Sequence, residues 1–284
     1  VMRLVGSEMC IRDRYYIYDF TYQPKMKKLF LPFLILQFAF TNVQASDWGQ
    51  TGHRVIGLVA EQHLTQKTKA AVDNLLQGES LAFVSTYGDE IRSNKEFKHF
   101  DTWHYVNMPL DKRYGDEKPN PKGDVYHAIQ HCVGVLQDNE ASREDKALYL
   151  RLLVHFVGDM HQPLHVGRSE DRGGNDIKVL WFGKNSNLHR VWDSEMINGY
   201  QMSYTELANN LPIYTAEKQQ TIVNTSVLDW MHESQRHAKH IYGSITQDES
   251  LGYAYQREYF PLVRHRLYKG GLRLAKLLND IFDN

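Results

Sequence analysis

Cysteine is nearly missing from this chain: Cys10 and Cys132 are the only two among 284 residues. A cysteine-rich zinc finger or a multi-disulfide scaffold is therefore excluded. An excess of positive charge is missing too, with 33 Lys and Arg against 34 Asp and Glu and a formal net charge of −1. No global field draws polyanions in, so any anion the chain handles must be met locally. Beyond residue 45 no apolar run approaches the ~20 residues that a membrane-crossing helix needs. Repeats, low-complexity tracts and Pro- or Ser-rich linkers are also lacking, while 42% hydrophobic residues suffice for one full core. What the chain does have is 14 histidines. Histidine is the commonest metal ligand and the usual acid or base near neutral pH, so the search for chemistry starts there.

The N-terminal part reads as processing signal rather than fold. From Met26, Lys27 and Lys28 precede an apolar run from Leu29 to Phe40 and a small-residue cleavage signal at Val43-Gln44-Ala45. This is the pattern of a secretory signal peptide. Residues 1–25 look foreign to that start and read as spurious upstream translation. The expected division is residues 1–25 spurious, 26–45 signal peptide and 46–284 a single functional domain, in a secreted or periplasmic protein. Residues 46–284 carry 27 basic and 31 acidic side chains, and all 14 histidines. Cys132 stands alone there, so no internal disulfide can form and bound metal is the obvious staple.

Apolar residues recur at three- and four-residue spacing, as in Val55, Ile56, Val59 and Leu64, or Leu262, Leu267, Leu274 and Leu278. The period predicts an all-α, mainly helical domain, with helices near 66–77, 80–96, 122–138, 204–211, 217–241 and 253–282. The exception is 166–188, where four glycines punctuate the β-prone run Ile177–Phe182, so a loop with a short β-hairpin is expected.

The densest histidine cluster is His155-Phe-Val-Gly-Asp159-Met-His161-Gln-Pro163-Leu-His165. His155 and Asp159, at i and i+4, share a helix face and suit two ligands of one cation. Pro163 stops that helix, so His165 enters from a loop. His161 is rotated by about 200° from Asp159 and reads as a supporting or packing residue. His189 and Asp193 form a second i, i+4 pair. His53, Asp89 and His104 are further candidates, each weak alone. Mixed His and carboxylate ligands without thiolate fit catalytic zinc. Seven or more ligands exceed what one tetrahedral ion uses, so a cluster of ions is implied, and clustered ions are typical of phosphate-ester hydrolysis.

The ordered set Trp48-Gly-x-x-Gly-His53, Asp89-x-x-Arg92, Trp103-His104-Tyr105, His155-x-x-x-Asp159-x-His161-x-Pro-x-His165, Gly173-Gly174-Asn175 and His189-x-x-x-Asp193 resembles one family. It is that of the zinc-dependent single-strand-specific nucleases of the S-one and P-one type, related to bacterial zinc phospholipase C. The resemblance implies three zinc ions in a cleft. Asp89, His104, His155 and Asp159 would hold the first, and His165, His189 and Asp193 the second. His53, a shared Asp159, and the amino nitrogen and carbonyl of Trp48 would hold the third. Asp89 and Arg92 would be the catalytic pair, with a surface salt bridge as the alternative for Arg92. Tyr105, Asn107 and Asn175 match positions near the family's base-binding pocket, and for each a packing or loop-turn role stands beside the binding one.

The implied activity is hydrolysis of single-stranded DNA and RNA to 5′-phosphorylated products, extending to 3′-phosphates of nucleotides, by a monomer with no obligate protein partner and no membrane attachment. A zinc phospholipase C and a periplasmic zinc-binding protein are the alternatives; the phospholipases tend to close the last motif with Glu rather than Asp193. Two departures from the family pattern stand out. Cleavage after Ala45 leaves Ser46 and Asp47 ahead of Trp48, and the disulfides common in fungal and plant members have no counterpart here.

Overall fold

The computed structural model describes residues 48–283. The assignments of residues 1–25 and 26–45, and the choice of mature N-terminus, lie outside the described residues. The described chain is mainly helical, as the apolar period predicts. Its centre is the helix Arg143–His161, started by Ser142, whose hydroxyl accepts from Asp145 N at 3.0 Å. Every residue from Leu152 to His161 is buried, because neighbouring elements sheathe the C-terminal half of this helix on all sides. Those neighbours include the N-terminal helix Gln50–Gln62, the helices Val125–Gln137 and Val227–Gly243, and the 30-residue helix Tyr253–Phe282.

The helices expected at 66–77, 122–138, 204–211 and 253–282 are present as Gln66–Leu76, Val125–Gln137, Tyr204–Asn209 and Tyr253–Phe282. The helix expected over 80–96 is broken into Leu81–Val84, Tyr87–Glu90 and the 3₁₀ segments Ile91–Ser93 and Lys95–His104. Side chains that bond the local backbone compete with the helix there: Ser85 Oγ donates to Ala82 O at 2.8 Å, and Asn94 Oδ1 accepts from Glu96 N at 3.1 Å. The expected 217–241 helix is two, Ala216–Val223 and Val227–Gly243, since Ser226 and Asp229 form a capping box that starts the second.

The hairpin is present as β1 (Lys178–Trp181) and antiparallel β2 (Lys184–Asn187), turning at Phe182 and Gly183, both with positive φ. A third strand, β3 (Glu249–Leu251), pairs parallel to β1 and was not expected, because three residues are too short to show a period of two. Among the described residues no helix is long and apolar enough to cross a membrane.

Candidate metal centre

Five separate segments converge on the C-terminal half of the central helix. That helix supplies His155 and Asp159, whose Nε2 and Oδ2 lie 3.2 Å apart, one turn along the buried face. The short helix Tyr87–Glu90 brings Asp89, the end of Lys95–His104 brings His104, and the N-terminal helix brings His53. Pro163 ends the central helix and opens a 3₁₀ turn, Pro163–Val166, that carries His165. His189 closes with Asp193 at 3.0 Å, although the segment between them is a π-helical turn rather than the expected α-helix.

Three groups result, the first two sharing His155, each with ligand atoms within 4.8 Å of one another: His53, Asp89 and His155; His104, His155 and Asp159; and His165, His189 and Asp193. Asp159 joins them. Its Oδ2 faces His104 Nδ1 at 3.0 Å, and its Oδ1 lies 3.4 Å from both His53 Nε2 and His165 Nδ1. All of these residues are buried except Asp89, which is 15% exposed and marks the side open to solvent.

Hydrogen bonds on the far side of the rings show whether this donor set fits a cation. His155 Nδ1 bonds Ser85 O at 2.8 Å, His165 Nδ1 bonds His104 O at 2.9 Å, and His189 Nδ1 bonds Gly173 O at 2.7 Å. A carbonyl only accepts, so each ring carries a proton on Nδ1 and turns Nε2 toward the cluster, where His155 Nε2 lies 3.0 Å from His104 Nδ1. Those nitrogens face carboxylate oxygens, His155 Nε2 against Asp159 Oδ2 at 3.2 Å, His165 Nε2 against Asp193 Oδ1 at 3.5 Å and His189 Nε2 against Asp193 Oδ2 at 3.0 Å, while Asp159 Oδ1 and Asp193 Oδ2 accept no hydrogen bond although both side chains are buried. Lone pairs aimed at one another in a dry site repel unless a cation lies between them. The residues therefore fit bound metal.

Electrostatics point the same way. Burial alone would raise the Asp159 carboxyl, but His155, His165 and the hydrogen bond from His104 Nδ1 hold it well below the usual carboxylate range. Burial pushes the His155 imidazole down, and Asp159 and Asp89 more than reverse this. His161 provides the contrast within the same helix. Its Nδ1 bonds Val157 O at 2.7 Å and its Nε2 accepts from Arg273 Nη1 at 3.0 Å, so both nitrogens are engaged away from the cluster. Burial, Arg266 and Arg273 hold it neutral. His161 is a packing residue, as its position on the helix indicates.

Arg92 Nη1 lies 3.6 Å from Asp89 Oδ1 and the side chain is 37% exposed, so its guanidinium stands at the solvent edge of the cluster. Tyr105 and Asn107 line a cavity of about 410 Å³ together with Lys112, Tyr114 and Asp124. The cavity starts one residue from the cluster, because Val106 N donates to His165 O at 2.8 Å and so pins this segment beside it. Asn175 is not brought there: its Nδ2 donates to Arg172 O at 2.8 Å, a turn contact within its own loop. Trp48 is fully buried, and the next residue, Gly49, donates its N–H to Asp193 O at 2.7 Å.

Three features escape sequence reasoning. Gln162 donates from Nε2 to Asp193 Oδ1 and accepts Leu164 N, tying the end of the central helix to the second group. Gly88 and Gly158 bracket a pair of stacked imidazoles, His155 and His53, whose ring centroids are 4.2 Å apart. A Cβ on Gly88 would sit 2.4 Å from His155 Cδ2, and one on Gly158 2.5 Å from His53 Nδ1. Position within the helical runs carried no signal for these roles, which only the packing displays.

Comparison with known proteins agrees with this arrangement. The S1/P1 nuclease family model matches residues 48–283. Endonuclease 4 of Arabidopsis thaliana is 31% identical over 275 residues, covering 84% of this chain and 90% of the relative. Endonuclease 5 of the same plant is 33% identical over 270 residues, with 83% and 90% covered. Nuclease P1 of Penicillium citrinum is 28% identical over 264 residues, with 82% and 97% covered. With these matches and a His and Asp cluster that can hold metal, the chain belongs to the S1/P1 nuclease family.

Proposed function

We propose that the protein is a zinc-dependent endonuclease that cleaves single-stranded DNA and RNA to 5′-phosphorylated products and also removes 3′-phosphates from nucleotides. The observation that carries the reading is the set of three ligand groups joined through Asp159. Three zinc ions are assigned: one to Asp89, His104, His155 and Asp159, one to His165, His189 and Asp193, and one to His53, Asp159 and the backbone of Trp48. When bound, such ions supply Lewis acidity, offsetting phosphate charge and acidifying water near them.

The chain's own residues do the rest. Asp89, the least buried carboxylate of the cluster, orients the attacking water and takes its proton at a carboxylate oxygen. Arg92 bonds a phosphate oxygen and stabilises the charge that grows as the 3′ oxygen departs. Tyr105 offers a ring face to an unpaired base and Asn107 an amide to its edge; stacking of this kind is worth ~1–3 kcal/mol per base and tolerates sequence. A base is free to stack there only when it is not paired, which accounts for single-strand preference. Asn175 has no part in the pocket we assign.

The 26–45 leader pattern supports export, and residues 46–284 act as one domain, as a monomer without obligate partner. The test is incubation of zinc-loaded protein with single-stranded DNA, RNA and phosphatidylcholine in parallel, with end-group analysis. Cleavage of both nucleic acids to 5′-phosphate ends is expected; release of phosphocholine instead would make it a phospholipase C, and metal binding without turnover a zinc-binding protein. N-terminal sequencing of the mature chain decides between Ser46 and Trp48.

A further inference from the structure

We infer that Asp171 is a positioning residue that holds His189 in register and so governs metal retention by the His165, His189 and Asp193 group; the inference rests on the metal reading above. The His189 Nδ1 proton is held by the carbonyl of Gly173, and the His189 backbone N–H by the carbonyl of Gly174 at 3.3 Å. Both glycines have positive φ, +66° and +84°. A double-glycine turn has little intrinsic preference for one conformation, so something else must fix those carbonyls.

Asp171 is the group in place to do so. It is 7% exposed, and its Oδ1 accepts Gly174 N at 2.8 Å and the Tyr242 hydroxyl at 3.0 Å. Its Oδ2 accepts Arg168 Nε at 2.9 Å, and the Arg168 guanidinium lies 4.1 Å over the Tyr242 ring. Tyr242 belongs to the helix Val227–Gly243. A continuous path therefore runs from that helix through the Tyr242 hydroxyl and the Asp171 carboxylate to the Gly173-Gly174 turn and the back of the His189 ring. Burial pushes the Tyr242 phenol up, so the hydroxyl stays a donor at neutral pH. Without Asp171 the turn loses the acceptor that pins Gly174 N–H, the Gly173 carbonyl can swing away, and His189 loses the partner that keeps its proton on Nδ1.

The experiment measures zinc bound per chain after dialysis of the full protein against graded chelator, and the rise in Tm that zinc produces, for Asp171→Ala, Asp171→Asn and Tyr242→Phe. Partners that orient a ligating histidine typically govern ten- to hundredfold in metal affinity, so Asp171→Ala should release zinc at about ten- to hundredfold less chelator and show a smaller zinc-induced rise in Tm. Asp171→Asn keeps an acceptor for Gly174 N and should recover most of the retention; Tyr242→Phe, which keeps the ring under Arg168, should shift in the same direction by less than Asp171→Ala. Zinc held as tightly as in the unsubstituted protein, with apo and zinc-loaded Tm lowered equally, would show a purely structural residue and overturn the inference. If Asp171→Ala fails to fold, unshifted retention in Tyr242→Phe overturns it. An unsubstituted chain that takes up no zinc would instead refute the metal reading itself.

Discussion

Gly158→Ala sets two opposed effects against each other at one atom. In a helix interior alanine is ordinarily the better residue by ~0.5–1 kcal/mol, because glycine loses more backbone freedom on folding. Gly134, in the helix Val125–Gln137, has nothing within 4 Å of where a Cβ would go, so Gly134→Ala should gain that amount. At Gly158 the same methyl would stand 2.5 Å from His53 Nδ1 and 2.8 Å from His53 Cε1. The ring would have to retreat by most of an ångström to reach ordinary contact at 3.4 Å. It has nowhere to go: His155 is stacked on its other face at 4.2 Å, and behind His155 stands Gly88, with no more room than Gly158. Overpacking of a filled core costs typically ~1–3 kcal/mol, which exceeds the propensity gain. The net loss of ~0.5–2 kcal/mol should lower the Tm of Gly158→Ala by roughly 1–8 °C, at ~2–4 °C per kcal/mol for a chain of this size, while Gly134→Ala raises it. Calorimetry of both variants, with zinc content measured alongside, reads the result. The displaced His53 should also weaken one metal site. A Gly158→Ala protein as stable as Gly134→Ala and with full zinc content would refute the bracketed-stack argument.

The remaining predictions concern the cluster and the buried titratable groups. Asp159→Ala removes the carboxylate that faces His53, His104, His155 and His165; turnover should fall below detection and zinc per chain should drop, as read by elemental analysis. Because Cys132 is the lone cysteine of residues 46–284, chelation should destabilise the fold. Ions present at a hundredfold above Kd contribute ~2.7 kcal/mol, so Tm should fall by roughly 5–10 °C, and an unchanged Tm would contradict the role of metal as staple. Burial and then Arg266 push the His237 imidazole down to about 4. Its folded pKa lies below the unfolded 6.5, so the unfolded state binds more protons between those values and stability falls as pH drops from 6.5 to 4. His237→Asn should flatten the Tm profile in that window and leave it unchanged above pH 7.

The cluster residues were legible because two of the pairs, His155 with Asp159 and His189 with Asp193, are local: four-residue spacing on a helical backbone puts their ends within 3.2 Å. Asp89, His104 and His53 come from three other segments, and only the ordered motif set linked them beforehand; distance along the chain hides a meeting that tertiary packing makes. The broken helices were hidden for the opposite reason. Ser85 and Asn94 act through side-chain hydrogen bonds and Ser226 through its capping box with Asp229, and these override an apolar period several residues long. Asn175 was singled out from the Gly-Gly-Asn segment, yet Asp171, four residues earlier, makes the longer-range contact in that loop.

Histidine count alone could not separate ligands from structural rings, whereas the atom opposite each ring's buried nitrogen does. His155, His165 and His189 give their Nδ1 protons to backbone carbonyls, which cannot move without moving the fold, and Nε2 is turned toward the cluster. His161 makes the same backbone bond, but its second nitrogen meets Arg273, a cation that the chain supplies itself. The two arrangements differ only in where the positive charge comes from. Arg273 shares Glu233 with Arg266, whose Nε bonds His161 O at 3.0 Å, so protein cations complete the helix end around His161. Two residues earlier, at Asp159, three carbonyl-locked imidazoles and two buried carboxylates converge, and among the described residues no guanidinium or ammonium is ion-paired to Asp159 or Asp193. A chain with net charge −1 thus holds, beside its central helix, a place that fits a cation, and under the proposed function that cation would give a polyanionic substrate the local positive charge that the sequence as a whole lacks.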